Sequence, residues 1–581
     1  MARRPDGPSR KAGRPSGRWA VVLLLLTACL SSSRIPAGNH FDLLLRGGTI
    51  VDGTGNPRFA GDVGIVGDRI AAIGPLRGAV ARETLDVTGL IVAPGFIDML
   101  GQSESNVLVD NRLLSKITQG ITTEVTGEGG SVAPLTDLLV VDDSAWMKRY
   151  GVRVDWRDLA GYFDQLERSR STLNIATFVG ATQVRMAVVG KQDRRATPAE
   201  LERMVALVDT AMQQGALGLS TSLVYAPAIY APTEELIALA RTARRHGGIY
   251  ASHIRNEGNG IDAALDEAFR IGREADIPVE IWHLKTAGQP NWGRMPRVLA
   301  RIDSVRSAGI DVTADQYPYT RSATSLDASI PQWAHSGGTD SLLARLNDPA
   351  TRARVRTDML GAIPGVENFY RGAGGADGIL IVSTFEDSLR PLQGQTLAAI
   401  ARARGTDPVE TLLDVVVADR GRTGAVYSSM NEDDVRAAMR HWWVSVNTDA
   451  GGVAPDGPFA QRSTHPRAYG SFTRILGRYV REQRLMSLEF AVRKMTSLAA
   501  QRVGLVHRGL LRPGMFADMT VFDAATVSDR ATFERPHQLS TGIEFVLVNG
   551  QVVLRRGALT TARPGRGLRG PGYRGTRSPR R

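Results

Sequence analysis

Between residues 93 and 500 the chain alternates apolar, β-branched runs with stretches of helical periodicity, and this alternation restricts the fold more than any other feature. Candidate strands are TTEVTGE, NIATFVGA, GALGLST, IYASHI, PVEIWHL, DVTADQYPY and WVSVNTD. Helical periodicity is clearest in PAELERMVALVDTAMQQ, EELIALARTARRH and EDDVRAAMRHWW. Repeated strand and helix units joined by short turns predict an α/β fold, a (β/α)8 barrel, in which functional groups sit where strands end and loops begin. Residues 321–410 lack the rhythm and are expected to form an insertion or lid.

Short β-rich segments bracket the barrel pattern. FDLLLRGGTIVDG, GDVGIVGDRIAAIG and TLDVTGLIVAPGF are separated by Gly and Asp turns, and matching material returns only in FADMTVFD and EFVLVNGQVVL. Residues 41–92 and 501–559 are therefore expected to complete one small β-sandwich from both chain ends.

The 581 residues carry a formal charge of +12, which would ordinarily suggest a nucleic-acid or anionic partner. Residues 1–28 hold a net +5 and residues 560–581 a net +7, which accounts for the whole excess and leaves the stretch between formally neutral. Nucleic acid is not an expected partner. The apolar run Trp19–Ala28 is too short to span a bilayer and follows a basic stretch, so residues 1–28 read as an export signal. It ends in Leu26-Thr27-Ala28-Cys29, which resembles the lipobox of bacterial lipoproteins. By that resemblance Cys29 is lipidated, residues 29–40 are a tether, and the protein is exported to the cell envelope or periplasm and meets the membrane through a lipid anchor. By the same resemblance Leu30, rather than Asp, after the cysteine favours the outer membrane if the host is Gram-negative. Cys29 is the sole cysteine, which excludes an intramolecular disulfide and any multi-cysteine metal site. The Arg-, Gly- and Pro-rich residues 560–581 are expected to be disordered.

Two histidines stand out. His253 in IYASHIRNE and His283 in VEIWHLKTAG each end a candidate strand, and their spacing of thirty residues is one βα repeat, so a barrel presents both to the same mouth. Glu128 in TTEVTGEGG is a candidate third ligand, since the following glycines let the backbone turn tightly. Asp449 ends WWVSVNTDAGG, where a carboxylate is suited to proton transfer. One metal held by a carboxylate and two imidazoles, beside a second carboxylate, is the constellation of metal-assisted hydrolysis.

At these residues the chain resembles the amidohydrolase superfamily and, within it, the D-aminoacylase (N-acyl-D-amino-acid deacylase) family. The motifs run from about Phe41 to Gly572 and include APGFID, QGITTEVTGEGG, YASHIRNE, WHLKTAG, DQYPYT, THPRAYGSFTRILGRYVRE and LRPGMFADMTVFD. The resemblance implies a (β/α)8 barrel with a split sandwich, a zinc site, amide hydrolysis, and Asp449 as general base and then acid. This chain departs from the family in two places. Leu100 and Gln102 stand where members carry a His-x-His pair, and Glu128-Gly129-Gly130 stands in place of an Asn-Cys-Gly segment that supplies a cysteine ligand. N-acetylglucosamine-6-phosphate deacetylases of the same superfamily include forms that lack the histidine pair and hold one metal with a glutamate and two histidines. By that analogy Glu128, His253 and His283 bind a single Zn2+.

Gln102 has two readings, a hydrogen bond to the substrate or to an activated water, or simple filling of the barrel floor. Lys285, Tyr317 and Tyr319 match family positions associated with the substrate carboxylate and Tyr225 matches a pocket tyrosine, while Arg255 is expected to point from the same strand end as His253. His465 and Arg467 follow the last strand without an assigned role. The expected substrate is a small N-acyl-D-amino acid or a related D-configured amide. The alternatives are a cyclic amide or dipeptide handled by the same groups, and a non-catalytic barrel that binds a D-amino-acid derivative at the envelope.

Overall fold

The protein is described by a computed structural model covering residues 40–575, save 143, 362 and 364. The expected export signal, Cys29 and tether residues 29–39 lie outside the described residues. His40, the last of the expected tether, is the first residue of a strand.

Among the described residues, eight parallel strands form the barrel: β1 (Phe96–Asp98), β2 (Ile121–Thr126), β3 (Asn174–Thr177), β4 (Gly218–Ser222), β5 (Ile249–His253), β6 (Val279–Ile281), β7 (Val312–Gln316) and β8 (Val444–Val446). The pairing runs through each neighbour in turn, with Ser222 beside His253 and Ile281 beside Ala314. β3 reaches β4 through Val179–Gly180. The ring closes where Met99 N donates to Val446 O at 3.2 Å and Gly101 bridges Ala450. The helix Pro198–Gln214 shows how sequence sets the outer layer. Thr197 and Glu200 form a capping box at its start, Gly215 ends it in the left-handed region, and Met204, Val208 and Met212 are buried along one face.

The two chain ends combine into a nine-stranded sheet. Strand Met519–Phe522 lies antiparallel to Ile91–Pro94, with Thr520 opposite Ala93, which joins the two halves. The long strand His40–Ile50 pairs first with Val80–Asp86 and then, past an irregularity between Leu45 and Gly48, with Ile91–Pro94. This strand, which also pairs antiparallel with Phe59–Val66, thus links three neighbours around a shared core of Leu43, Val63, Ile65, Met519, Val521 and Phe545.

The insertion is longer than the sequence rhythm suggests. Its antiparallel sheet consists of Ser322–Ser325, Gly424–Tyr427 and Ile379–Ser383, with the 424–427 strand in the middle. Helix Pro408–Ala418 belongs to it as well, because Leu412, Leu413, Val415 and Val416 bury into the insertion's own core. The boundary expected at 410 therefore moves past Tyr427.

Residues 560–575 are ordered, against the expectation of a disordered tail. Ile175 N donates to Arg566 O and Leu568 N to Ile175 O, so this segment runs across the start of β3, at the end of the barrel opposite the strand C-termini. Arg569 stacks on Phe163 and Arg566 pairs with Asp68. The glycines that suggest disorder by composition here permit close approach, since a Cβ on Gly570 would lie 2.2 Å from Ala216 O. Residues 576–581 lie outside the described residues.

Candidate active site

The C-terminal ends of the barrel strands surround a cavity of about 530 Å3, roofed by the insertion through Thr324, Phe369 and Tyr427. Glu128 enters it from the loop after β2. That loop is pressed against β4, for a Cβ on Gly129, at φ +65°, would lie 2.5 Å from the Ser222 side chain. His253 ends β5. His283 stands two residues beyond β6 with φ +36°, and its backbone N donates to the buried Asp315 carboxylate at 2.6 Å. Asp449 follows β8 with φ +46°, its N donating to Leu100 O at 2.8 Å. A left-handed non-glycine backbone costs about 1–3 kcal/mol and persists only where the surroundings over-determine it, as they do at both residues.

The predicted metal ligands meet. Ligand atoms of Glu128, His253 and His283 lie within 4.8 Å of one another. Glu128 Oε1 is 2.9 Å from His253 Nδ1 and 3.2 Å from His283 Nε2. Tetrahedral zinc with bonds near 2.0–2.1 Å places its ligands about 3.3 Å apart, so these separations suit the ion. The electrostatics agree. Burial alone would raise Glu128, yet hydrogen bonds from the two imidazoles hold it well below the ordinary carboxylate range. Burial likewise opposes charge on His253, yet Glu257 and Glu128 push its pKa up to about 10. Both shifts come from one buried carboxylate and two imidazoles held within reach of one another, a donor set that a divalent cation would satisfy.

Gln102, at one of the positions of the missing histidine pair, donates from Nε2 to Glu128 Oε2 at 3.2 Å and to Asp449 Oδ1 at 3.1 Å. It ties the ligand carboxylate to the proton-transfer candidate. Leu100, at the other position, is wholly buried and apolar. Burial raises the Asp449 carboxyl, while Arg467, whose Nη1 lies 2.6 Å from Asp449 Oδ2, pulls the other way. Arg467 thereby gains the role that its sequence position left open. His465 accepts from the Arg467 backbone N at 2.9 Å and fixes that turn.

The carboxylate-binding candidates divide. Tyr317 lines the cavity, and its buried hydroxyl has no hydrogen-bond partner among the described residues. Tyr225 lines it too, edge-on to His253. Lys285 reaches the cavity, but Nζ lies 2.6 Å from Glu257 Oε1 and 2.7 Å from His283 Nδ1. Two expectations are corrected. Arg255 turns away, because β5 ends at His253 and alternation ends with it; the guanidinium grips Glu267 at 2.7 and 2.8 Å and the carbonyls of Ile229 and Ala231. Tyr319 packs on His465 and Phe533 outside the cavity, its hydroxyl 3.4 Å from Pro466 O.

Sequence reasoning missed two residues. Glu257 lies four residues after His253, inside a quoted motif, but in a loop where no periodicity marks its direction. Lys116 is wholly buried beneath the site, with Nζ 2.7 Å from Asp98 Oδ2, 2.6 Å from Thr448 Oγ1 and 2.6 Å from Ala450 O. Asp98 also accepts from Thr448 N at 2.8 Å, so the pair fixes the turn that presents Asp449. Burial pushes the neighbouring Glu124 up to about 7.

Comparison with known proteins is consistent with this geometry. A model of the amidohydrolase family matches residues 83–554. A D-aminoacylase of Alcaligenes xylosoxydans xylosoxydans is 39% identical over 537 residues, covering 91% of this chain and 97% of its own. The crystal structure of an N-acyl-D-glutamate deacylase from Bordetella bronchiseptica, complexed with zinc and a phosphonate mimic of the tetrahedral intermediate, superposes with TM-score 0.76 at 36% identity, covering 91% of this chain and all of the other. A D-aminoacylase structure addressing one-metal activation and second-metal attenuation of a binuclear centre gives TM-score 0.75 at 36% identity, with the same coverage.

Proposed function

Because the chain belongs to the amidohydrolase family, we propose that it hydrolyses the amide bond of N-acyl-D-amino acids, with one zinc ion held by Glu128, His253 and His283 and with Asp449 transferring the proton. The observation that carries this reading is the convergence of those three ligands beside a buried carboxylate that Gln102 ties to Glu128. Zinc in such a site polarises the scissile carbonyl and acidifies the attacking water. Asp449 accepts the water's proton and returns it to the leaving amine, its two oxygens held by Gln102 and Arg467. Tyr317 offers a buried, unpartnered hydroxyl to the substrate carboxylate, with Lys285 on the same wall.

Two features support one metal over two. Leu100 cannot ligate, and the Gln102 amide is engaged by Glu128 and Asp449. The test is an assay of the mature protein on N-acetyl-D-amino acids, their L-enantiomers, hydantoins and dipeptides. Release of free amino acid from the D-enantiomers alone is expected. Turnover of hydantoins or dipeptides in their place would establish the alternative substrate class, and binding without turnover of any would establish the non-catalytic reading.

We infer further, from residues 1–29 alone, that the protein is exported and anchored through Cys29. The mass of the mature N-terminus, with or without lipid on that cysteine, tests this.

A further inference from the structure

Glu257 serves neither as a metal ligand nor as the proton-transfer group, yet its buried carboxylate lies against both ligand histidines and Lys285. Oε1 lies 3.1 Å from His283 Nδ1 and 2.6 Å from Lys285 Nζ, and Oε2 lies 3.4 Å from His253 Nε2. These are the outer ring nitrogens, because His253 Nδ1 and His283 Nε2 are the atoms that face Glu128. His253 Nε2 is buried and makes no hydrogen bond among the described residues, so Glu257 is the carboxylate within its reach. The backbone of Glu257 is pinned from two sides, its N donating to Glu367 Oε2 at 2.6 Å and its O accepting from Ala287 N at 2.7 Å.

We propose that Glu257 is the positioning residue of the metal centre, a single carboxylate that takes the outer nitrogens of both ligand histidines and fixes their tautomers and ring directions. The inference rests on the metal site proposed above. An imidazole that ligates through one nitrogen carries its proton on the other, and that N–H needs an acceptor. For His283 the ligating atom would be Nε2, so Nδ1 would carry the proton toward Glu257 Oε1, in place of the 2.7 Å contact that Lys285 Nζ makes with that nitrogen. For His253 the assignment would be reversed, with Nε2, 3.4 Å from Oε2, carrying the proton. Metal proteins commonly give each histidine its own acceptor; here one side chain supplies both oxygens, one to each ring. Lys285 supplies the countercharge that lets a carboxylate stay ionised at such depth. The charges then close in pairs. Asp449 is balanced by Arg467 and Glu257 by Lys285, which leaves Glu128 as the anionic ligand to the cation.

The test compares the wild-type mature chain with Glu257→Gln and Glu257→Asp. Each is stripped of metal and titrated with Zn2+ against a chromophoric chelator, and separately with Co2+ to record its visible absorption. Glutamine keeps the shape but offers one acceptor oxygen in place of two. It is expected to weaken zinc binding about 10- to 100-fold and to change the Co2+ spectrum, with aspartate recovering part of the loss. Unchanged affinity and an unchanged spectrum in folded Glu257→Gln would overturn the proposal. So would a raised KM with unchanged zinc affinity, which would make Glu257 only the countercharge of Lys285. If Glu257→Gln does not fold, Glu257→Asp decides by the same two readouts. A wild-type chain that takes up neither ion refutes the metal reading itself, a result distinct from failure of the Glu257 role.

Discussion

Arg467 Nη1 lies 2.6 Å from Asp449 Oδ2, and both side chains are buried. Burial raises the Asp449 carboxyl and the guanidinium opposes the rise by favouring the charged form. Asp449 must be deprotonated to accept a proton, so activity is lost as pH falls through its pKa. Replacing Arg467 with methionine removes the lowering influence and leaves burial unopposed on that side. The acid limb of the kcat profile is expected to move to higher pH, while the same variant retains its metal. An acid limb unmoved or shifted to lower pH would show that Arg467 does not act on Asp449.

Gln102 decides between two roles through one substitution. Gln102→Leu removes the donor shared by Glu128 and Asp449 while still filling the floor. Hydrogen bonds to charged groups contribute about 1.5–3 kcal/mol, so kcat should fall about tenfold to a hundredfold with metal content intact. An unaltered kcat would reduce Gln102 to filling.

Lys116 predicts a stability effect away from the chemistry. Lys116→Met would strand the buried Asp98 and Glu124 carboxylates without their cation. Removing one partner of a buried pair costs about 3–5 kcal/mol, which denaturant unfolding would register as a lower midpoint. A midpoint equal to that of the wild type would contradict the network as drawn.

The C-terminal strap makes a further prediction. Deleting residues 563–581 exposes Phe163 and removes the Arg566–Asp68 pair and the backbone bonds to Ile175. The thermal midpoint is expected to fall. A truncated chain as stable as the parent would mean that this segment adds nothing to the fold.

What the sequence made legible follows from which contacts are local. Buried parallel strands are near-continuous apolar runs, so TTEVTGE, IYASHI and WVSVNTD could be placed, and a βα repeat of thirty residues brought His253 and His283 to one mouth. Where a strand ends, alternation stops carrying information. Arg255, two residues past His253, is expected to point from the same strand end and lies outside the cavity, while Glu257, four residues past, lines it. Lys116 was hidden because its partners Asp98 and Thr448 meet only when the barrel closes. Residues 560–575 depart from what their composition suggests because glycine signals both freedom and close approach, and only the surface beneath them distinguishes the two.

One metal ion, held by Glu128, His253 and His283, is the full metal requirement of the proposed hydrolysis. Stripped protein titrated with Zn2+ while hydrolysis of an N-acetyl-D-amino acid is followed tests it most directly. Activity is expected to rise linearly and break at one equivalent, with Glu128→Ala and His283→Ala gaining neither metal nor activity. A break at two equivalents, or full activity with no zinc added, would contradict it.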